Sequence, residues 1–455
     1  MSVNHAAERA DRAARLQLVD LPPATAASTI RGMLDICLVR DKPDFVKKRL
    51  ATRAGADETK IDNLLRVDSE RRKTETALQK LNAERNRSSK EIGAKRGRGE
   101  ATGEIEKRVR EIGEEIADRN RQVTTFDEEQ RNLLLEIPNL PHESVPEGKD
   151  PSANRVVRSW GEKPKPDGEV LDHVALGEKL NLFDLERAAK LSGSGFICFT
   201  GAGARLERSL INFMLDLHTR EHGYAEISPP FLVRRDCMIG TTQLPKFEPD
   251  MYGLEENQLF LAPTAEVPVT NFYREEILAI VDLPKKFVAY TPCFRREAGS
   301  AGHQTRGIIR VHQFDKVELV KITTADKSYD ELERLAADAE RVLQLLGLHY
   351  RMVELCTGDL GFGSAKTYDI EVWSPGQNSY LEVSSCSNFE DFQARRMNLR
   401  YKDGDGKNRF CHTLNGSGLA LPRLFAALIE SGQRKDGSIR LPEILKPYFG
   451  ATEIR

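Results

Sequence analysis

Two runs of residues at alternating steps of three and four constrain the N-terminal part of this chain more than anything else in it. The first takes in Leu64, Val67, Arg71, Thr74, Leu78, Leu81, Arg85, Ser88 and Ile92. The second takes in Ile105, Val109, Ile112, Ile116, Arg119, Val123, Phe126, Gln130, Leu133 and Ile137. Such steps keep one stripe on one face of a helix, the spacing of a coiled-coil seam. The glycines of "GAKRGRGEATG" separate the runs, and Pro138 and Pro141 end the second. The pattern predicts an antiparallel coiled-coil hairpin whose helices each span roughly 50–60 Å at 1.5 Å per residue.

The two halves of the hairpin carry opposite charge. Residues 60–98 hold 12 Lys/Arg against 6 Asp/Glu, and residues 99–137 hold 6 against 11. The plain reading is a solvated, self-complementary rod. The sharper one rests on Arg85, Arg87, Lys90, Lys95, Arg96 and Arg98 near the far end, opposed on the first helix by Glu91. A basic tip on a protruding rod reaches a phosphate backbone far from the body of the protein.

The whole chain has 455 residues and a formal net charge of -2, so no global charge demands a nucleic-acid or membrane partner. No apolar run approaches 18 residues, and no membrane span is expected. The seven cysteines (37, 198, 237, 293, 356, 386, 411) form no C-x-x-C pair. Reduced thiols and a cytoplasmic location follow as expectations, with neither a zinc site nor a disulfide framework. Residues 1–32 are rich in Ala and Arg, lack an apolar core, and carry Glu8, Asp11 and Asp20. They are read as a disordered extension, with Met33 a candidate start. Residues 33–137 then form a helical arm domain, 138–170 a Pro- and Gly-rich linker, and 171–455 a catalytic domain.

Within 171–455 the pattern mixes a few helices with runs of strands, an α+β domain built on an antiparallel sheet. Helices are expected at 204–223 and 329–347, and over "GLALPRLFAALIE" after a Gly-rich turn. "YDIEVWSP" and "SYLEVSSCS" read as strands around a turn. Residues 291–320 read as a hairpin that is unusually charged. In "IIRVHQFDKVELV" strand alternation puts Arg310, His312, Phe314, Lys316 and Glu318 on one face, too polar for a core. Phe314 and Glu318 are four residues apart, about 13 Å along a strand. On the partner strand Arg295 and Glu297 share a face. An Arg fork binds phosphate, and a Glu accepts from an amine. Val311 points away, leaving only its backbone for a ligand. Read alone, the hairpin is also consistent with a salt-bridge ladder.

These residues resemble the motifs of class II aminoacyl-tRNA synthetases, and most closely the seryl-tRNA synthetase family of bacterial type. The hairpin resembles motif 2, "GYAEISPPFL" with Pro230 motif 1, and "HTLNGSGLALPRLFAALIE" with Arg423 motif 3. "GTTQLPKF", "APTAEVPVTN", "TGDLGFGSAKTYDIEVW" and "LEVSSCSNFEDFQARR" are family-like blocks between them. The resemblance implies serine contacts from Thr264, Ala265, Glu266, Arg295, Glu318, Asn415 and Ser417. It implies ATP contacts from Arg295, Arg296, Glu297, Val311, Phe314, Glu382, Val383, Ser384, Ser385 and Arg423. Glu382 and Ser385 would hold Mg²⁺, which requires the strand to bulge or end there, because residues three apart lie on opposite faces of a flat strand. The basic tip would bind tRNA(Ser), with tRNA(Sec) left open as a second acceptor, and the motif 1 likeness implies a homodimer. The chain departs from the family pattern at Thr242, Arg296, His303, Gln304 and Pro422. An amino-acid:carrier-protein ligase, opposed by the complete hairpin, and a non-enzymatic coiled-coil module, opposed by Arg295, Glu297, Glu382 and Arg423, are the competing readings.

Overall fold

The computed structural model describes residues 33–55, 57–164, 170–254, 256–297 and 306–455. The N-terminal extension and the His303–Gln304 loop lie outside the described residues. Two short helices open the structure, α1 (Ile36–Asp41), capped by the Asp35 side chain, and α2 (Pro43–Ala51), with Pro43 at its first turn. The hairpin follows as α3 (Lys60–Gly97) and α4 (Gly103–Glu136). α3 continues through Gly93 and Gly97, and the chain reverses only around Gly99, at φ +72°. The seam buries Ile61, Leu64, Val67, Thr74, Ile112, Ile116, Gln130 and Leu134. Arg119 is exposed, and Leu134 rather than Leu133 is fully covered. A straight helix drifts against a strict 3.5-residue repeat, so the seam changes phase along α4.

Near the hairpin's base, Asp68 accepts from Arg40 (2.9 and 3.0 Å) and from Gln130 (3.1 Å). Beside it Arg66–Glu129, and farther up the rod Arg108–Glu84, pair across the helices, each at 3.1 Å and each exposed. Such pairs contribute less than about 1 kcal/mol apiece, so the buried seam carries the rod. The basic tip is less open than its sequence suggests. Lys95 pairs with Glu91, Arg96 with Glu106 and Arg98 with Glu100, whereas Arg85, Arg87 and Lys90 make no ion pair among the described residues. The α3–α4 turn brings in Glu100 and Glu106, which a view along α3 alone omits.

The body is built on an eight-stranded sheet. In chain order its strands are β1 (Arg155–Trp160), β2 (Ala225–Glu226), β3 (Lys285–Phe294), β4 (Gln313–Thr323), β5 (Tyr350–Glu354), β6 (Lys366–Ser374), β7 (Ser379–Asn388) and β8 (His412–Ala420). The spatial order is β1-β5-β6-β7-β8-β4-β3-β2, antiparallel except for β2 beside β3. The segment expected to be a linker therefore supplies an edge strand. All six residues of β1 are exposed, so no apolar alternation marked it in the sequence.

One face of the sheet is covered by α5 (Gly201–Arg220), α6 (Ser328–Leu346) and α8 (Leu421–Gly432); α7 (Phe392–Met397) packs on the other. α6 buries Leu332, Leu335, Ala336, Ala339, Val342, Leu343 and Leu346, and stops where Gly347 turns left-handed at φ +68°. The odd-numbered Val317 and Leu319 of β4 face this core. On the opposite face Val320 and Ile322 join a second cluster with Ala394 and Met397 of α7, leaving Phe314, Lys316 and Glu318 uncovered by either core.

The expected helix over "GLALPRLFAALIE" begins later. β8 runs through Ala420, and Pro422 sits in the first turn of α8. Gly416 and Gly418 are strand residues, not a turn. A Cβ on Gly416 would meet Leu335 at 2.4 Å, and one on Gly418 would meet His218 at 2.9 Å. Glycine here permits close packing under the sheet.

Candidate active site

A cavity of about 700 Å³ opens on the face of the sheet opposite α5 and α6. Thr264, Glu266, Arg295, Glu318, Asn415 and Ser417 of the predicted serine set line it, and so do Glu297, Val311, Phe314, Glu382, Val383, Ser385 and Arg423 of the predicted ATP set. Three predicted residues do not. Ala265 is fully buried in the second core, Ser384 turns away to donate to the Ser417 carbonyl at 2.7 Å, and Arg296 is exposed. Strand alternation sends Ser384 to the far side of β7 while its neighbour Ser385 faces the cavity.

The strand geometry corrects two expectations. β4 starts at Gln313, so the alternating face does not extend back to Arg310 and His312. His312 packs beside Gly195, whose absent Cβ would lie 2.6 Å from the ring; Arg310 reaches the cavity from a turn. β3 ends at Phe294, so Arg295 and Glu297 share no strand face; Glu297 is left-handed at φ +49°. Both still face the cavity. The Arg295 guanidinium lies 5.2 Å from the Phe314 ring centre, and Arg310 donates to Glu297 at 2.8 Å.

A bulge meets the condition set by Glu382 and Ser385. In the β6–β7 ladder Ile370 pairs with Ser384 and Glu371 with Glu382, leaving Val383 as the extra residue. The insertion turns Glu382 and Ser385 to the same cavity. Asp369, opposite Ser385, joins them; the sequence reading missed it. Its place two residues from Glu371, in a strand next to Glu382 and Ser385, was the available signal. Burial, and then the Glu382 carboxylate, push the Asp369 carboxyl well above its usual range, against a hydrogen bond from Ser385. This set of hard oxygens suits Mg²⁺. Among the described residues no group of three or more His, Cys, Asp or Glu could hold a metal ion. Arg423 closes this end, donating to the carbonyl oxygens of Ile309 (3.2 Å) and Glu382 (2.8 Å).

The other end is more deeply buried. Ser417 faces Glu318 across the β8–β4 ladder. Glu318 accepts from Asn415 at 2.9 Å and lies 2.5 Å from Lys316. Glu266 accepts from Gln393 at 2.7 Å, and Gln393 in turn accepts from Thr413 at 2.7 Å. Burial pushes the Glu266 carboxyl up to about 7; Glu318 adds to this and the Gln393 amide opposes it. Lys316 and the backbone wall Gly361–Ser364 complete this end, neither assigned a role by the sequence reading. Thr242, also in the wall, has φ +74°, which explains why glycine suits this position. The cavity thus joins an end lined by Thr264, Glu266, Glu318, Asn415 and Ser417 to an end with an aromatic ring, two arginines and an acidic pair.

Known proteins resemble this chain along most of its length. Residues 33–141 match the family described as seryl-tRNA synthetase N-terminal domain, and residues 247–432 match the tRNA synthetase class II core domain (G, H, P, S and T). A serine–tRNA ligase of Akkermansia muciniphila is 59% identical over 423 residues, covering 93% of this chain and 99% of the relative. One from Methylacidiphilum infernorum is 52% identical over 417 residues, covering 92% and 99%. Among solved structures, a seryl-tRNA synthetase from Pyrococcus horikoshii complexed with ATP superposes with TM-score 0.87 at 39% identity, covering 92% of this chain and 99% of that one. A cytoplasmic serine–tRNA ligase from Naegleria fowleri in complex with AMP gives 0.82 at 28% identity, covering 91% and 96%.

Proposed function

Since the chain belongs to the seryl-tRNA synthetase family, we propose that it joins L-serine to tRNA(Ser) in two steps within this cavity, using ATP. In the first, a serine carboxylate oxygen attacks the α-phosphorus of ATP; the bond to the bridging oxygen breaks and pyrophosphate leaves. In the second, the 3'-terminal ribose hydroxyl of tRNA attacks the serine carbonyl carbon, loses its proton, and AMP leaves. Neither step needs a protein nucleophile; both depend on positioning and charge neutralisation.

The observation that carries this reading is the row Phe314, Lys316, Glu318 on one face of β4, opening onto a cavity that also gathers Arg295 and Arg423. Glu318, Asn415, Ser417, Thr264 and Glu266 take the serine hydroxyl and amine. Arg295 meets the carboxylate and α-phosphate, and Phe314 stacks on the adenine, whose amine donates to Glu297. Arg423 covers the other side of the base and meets the γ-phosphate. Glu382 and Ser385, with Asp369 behind them, would hold Mg²⁺, which supplies charge neutralisation between phosphates when bound. Arg85, Arg87 and Lys90 on the arm meet the tRNA backbone. A homodimer in the cytoplasm completes the proposal; among the described residues no helix is long and apolar enough to cross a membrane.

The test is ATP–pyrophosphate exchange with each of the twenty amino acids, followed by charging of tRNA(Ser) and, separately, of tRNA(Sec). Serine alone should drive exchange. Exchange driven equally by alanine would overturn the reading, because a site that hydrogen-bonds a hydroxyl rejects the analogue lacking it.

A further inference from the structure

Five consecutive backbone carbonyls, from Leu360 to Ser364, each accept a hydrogen bond from one of two residues at the base of the arm. Arg53 Nη2 donates to Leu360 (3.1 Å) and Gly361 (2.5 Å), and Nη1 to Ser364 (3.2 Å). The backbone amide of Asn139 donates to Phe362 (3.0 Å), and its side-chain Nδ2 to Gly363 (3.0 Å). Two further bonds lock the donors themselves in place. Arg53 Nη1 donates to the Asn139 carbonyl at 2.9 Å, and Asn139 Nδ2 to the Phe389 carbonyl at 2.9 Å. Both residues are buried, at 7% and 5% exposure, so these bonds are shielded from water. Arg53 follows α2, and Asn139 follows the end of α4, so both strands of the arm's root meet here.

The held segment is functional wall. Gly361, Phe362, Gly363 and Ser364 all line the cavity. The wall stands at the Asn415 end, because Gly363 lies against Thr242 and Phe389, and Phe389 follows the Ser387–Asn388 stretch that pairs with Asn415 and Leu414. A run with two glycines has little intrinsic order, and the one turn it closes for itself is from Ser364, whose amide and hydroxyl both donate to the Gly361 carbonyl at 3.1 Å. Its shape is imposed through its carbonyls.

We propose that Arg53 and Asn139 are positioning residues for serine: from the root of the arm they hold the Leu360–Ser364 wall in the shape that the amino-acid end of the cavity requires. Neither touches the reacting atoms. The root of the arm is then part of the amino-acid activation machinery, while the distal rod is not. The assignment of serine to that end rests on the proposed function.

The experiment uses the full-length protein without tRNA. Serine-dependent pyrophosphate exchange is measured for wild type, Arg53→Gln, Arg53→Lys, Asn139→Ala and the distal control Arg108→Ala, alongside hydrogen exchange of the 358–366 peptide and thermal denaturation. Loss of the clamp should raise the serine KM about tenfold in Arg53→Gln, with the ATP KM and kcat changed by less than about threefold. The 358–366 amides should exchange faster in the same variant. Arg53→Lys keeps the charge and some donors, and should fall between wild type and Arg53→Gln. Asn139→Ala should reproduce the serine KM effect from the other donor, which covers the case in which Arg53→Gln fails to fold. Arg108→Ala should match wild type in every reading. A folded Arg53→Gln with an unchanged serine KM, or with serine and ATP KM raised equally, would overturn the inference. A wild type that exchanges with no amino acid would overturn the proposed function instead, and the hydrogen-exchange arm would still report whether the clamp holds the wall.

Discussion

Lys316 Nζ lies 2.5 Å from Glu318 Oε2, two residues away on the same face of β4, and both side chains are buried. Asn415 donates to the other carboxylate oxygen at 2.9 Å. Removing one partner of a buried pair strands the other charge, which costs on the order of 3–5 kcal/mol. Glu318→Ala should therefore lower the denaturation midpoint as well as abolish serine-dependent exchange. Lys316→Met, Glu318→Met replaces both charges with apolar groups and should recover much of the stability with none of the activity. A double variant no more stable than Glu318→Ala would refute this account of the pair.

Glu266 adds a pH dependence whose sign follows from its burial. Its carboxyl is held at about 7 against an ordinary 4.5. The folded state thus binds the proton more tightly than the unfolded chain. That contribution is fully present below about 4.5 and is lost as pH rises through about 7. The loss is on the order of 3 kcal/mol at most. Glu266→Gln should remove this slope. The wild-type minus variant difference in denaturation midpoint, measured from pH 4.5 to 8, should fall with rising pH and flatten above about 7. A difference that stays constant across that range would show that Glu266 titrates normally.

How much of this site could be read in the sequence depended on whether side chains or backbone carried the feature. The cavity-facing row on β4 and the hairpin follow from residue type and spacing, because strand and helix periods are fixed, whereas the need for a bulge near Glu382 followed from the family resemblance, which put Glu382 and Ser385 on one ion. The bulge's position at Val383 is a register property and needed the structure. So did β1, whose six exposed residues have no apolar face to reveal them. Gly416 and Gly418 looked like a turn because the neighbours that demand them, Leu335 and His218, are distant in sequence. The Arg53–Asn139 clamp was least legible of all. Its acceptors are backbone carbonyls, which every residue has, so no pattern in residues 360–364 announces the contact.

Thr242 and Gly363 offer a coupled test of the cavity wall. A Cβ on Gly363 would meet Thr242 Oγ1 at 2.8 Å, Thr242 Cγ2 at 3.0 Å and Phe389 at 3.2 Å. Overpacking of this kind costs about 1–3 kcal/mol. Gly363→Ala should therefore raise the serine KM and lower the denaturation midpoint. Thr242→Gly clears two of the three contacts and also relieves a β-branched residue at φ +74°. The double variant should recover most of what Gly363→Ala loses, a non-additivity that contacting residues show and distant ones do not. Strict additivity of the two changes in KM would mean that the wall does not close on Thr242.

The arm should be separable from serine activation, provided that the cut spares its root. Asp68 is buried and accepts from Arg40 and Gln130, so a deletion reaching those residues would strand Arg40 and loosen α1. Arg71–Asp127 and the buried Thr74 lie just above. The Asp68–Gln130 and Arg71–Asp127 contacts set the register above the root and place residue 77 near residue 121. Deleting residues 78–119 and closing the stem with a short Gly-rich turn therefore keeps the root and removes Arg85, Arg87 and Lys90. Pyrophosphate exchange should stay within about threefold of wild type, since the reacting groups are untouched. Transfer to tRNA should be lost at ordinary concentrations. In the full-length protein, tRNA affinity should fall steeply as salt rises, because each phosphate contact releases counterions, while exchange should respond much less. Measuring both half-reactions on the deletion variant decides the matter. Charging of tRNA(Ser) at near full efficiency would return the rod to a solvated, self-complementary hairpin with no part in recognition.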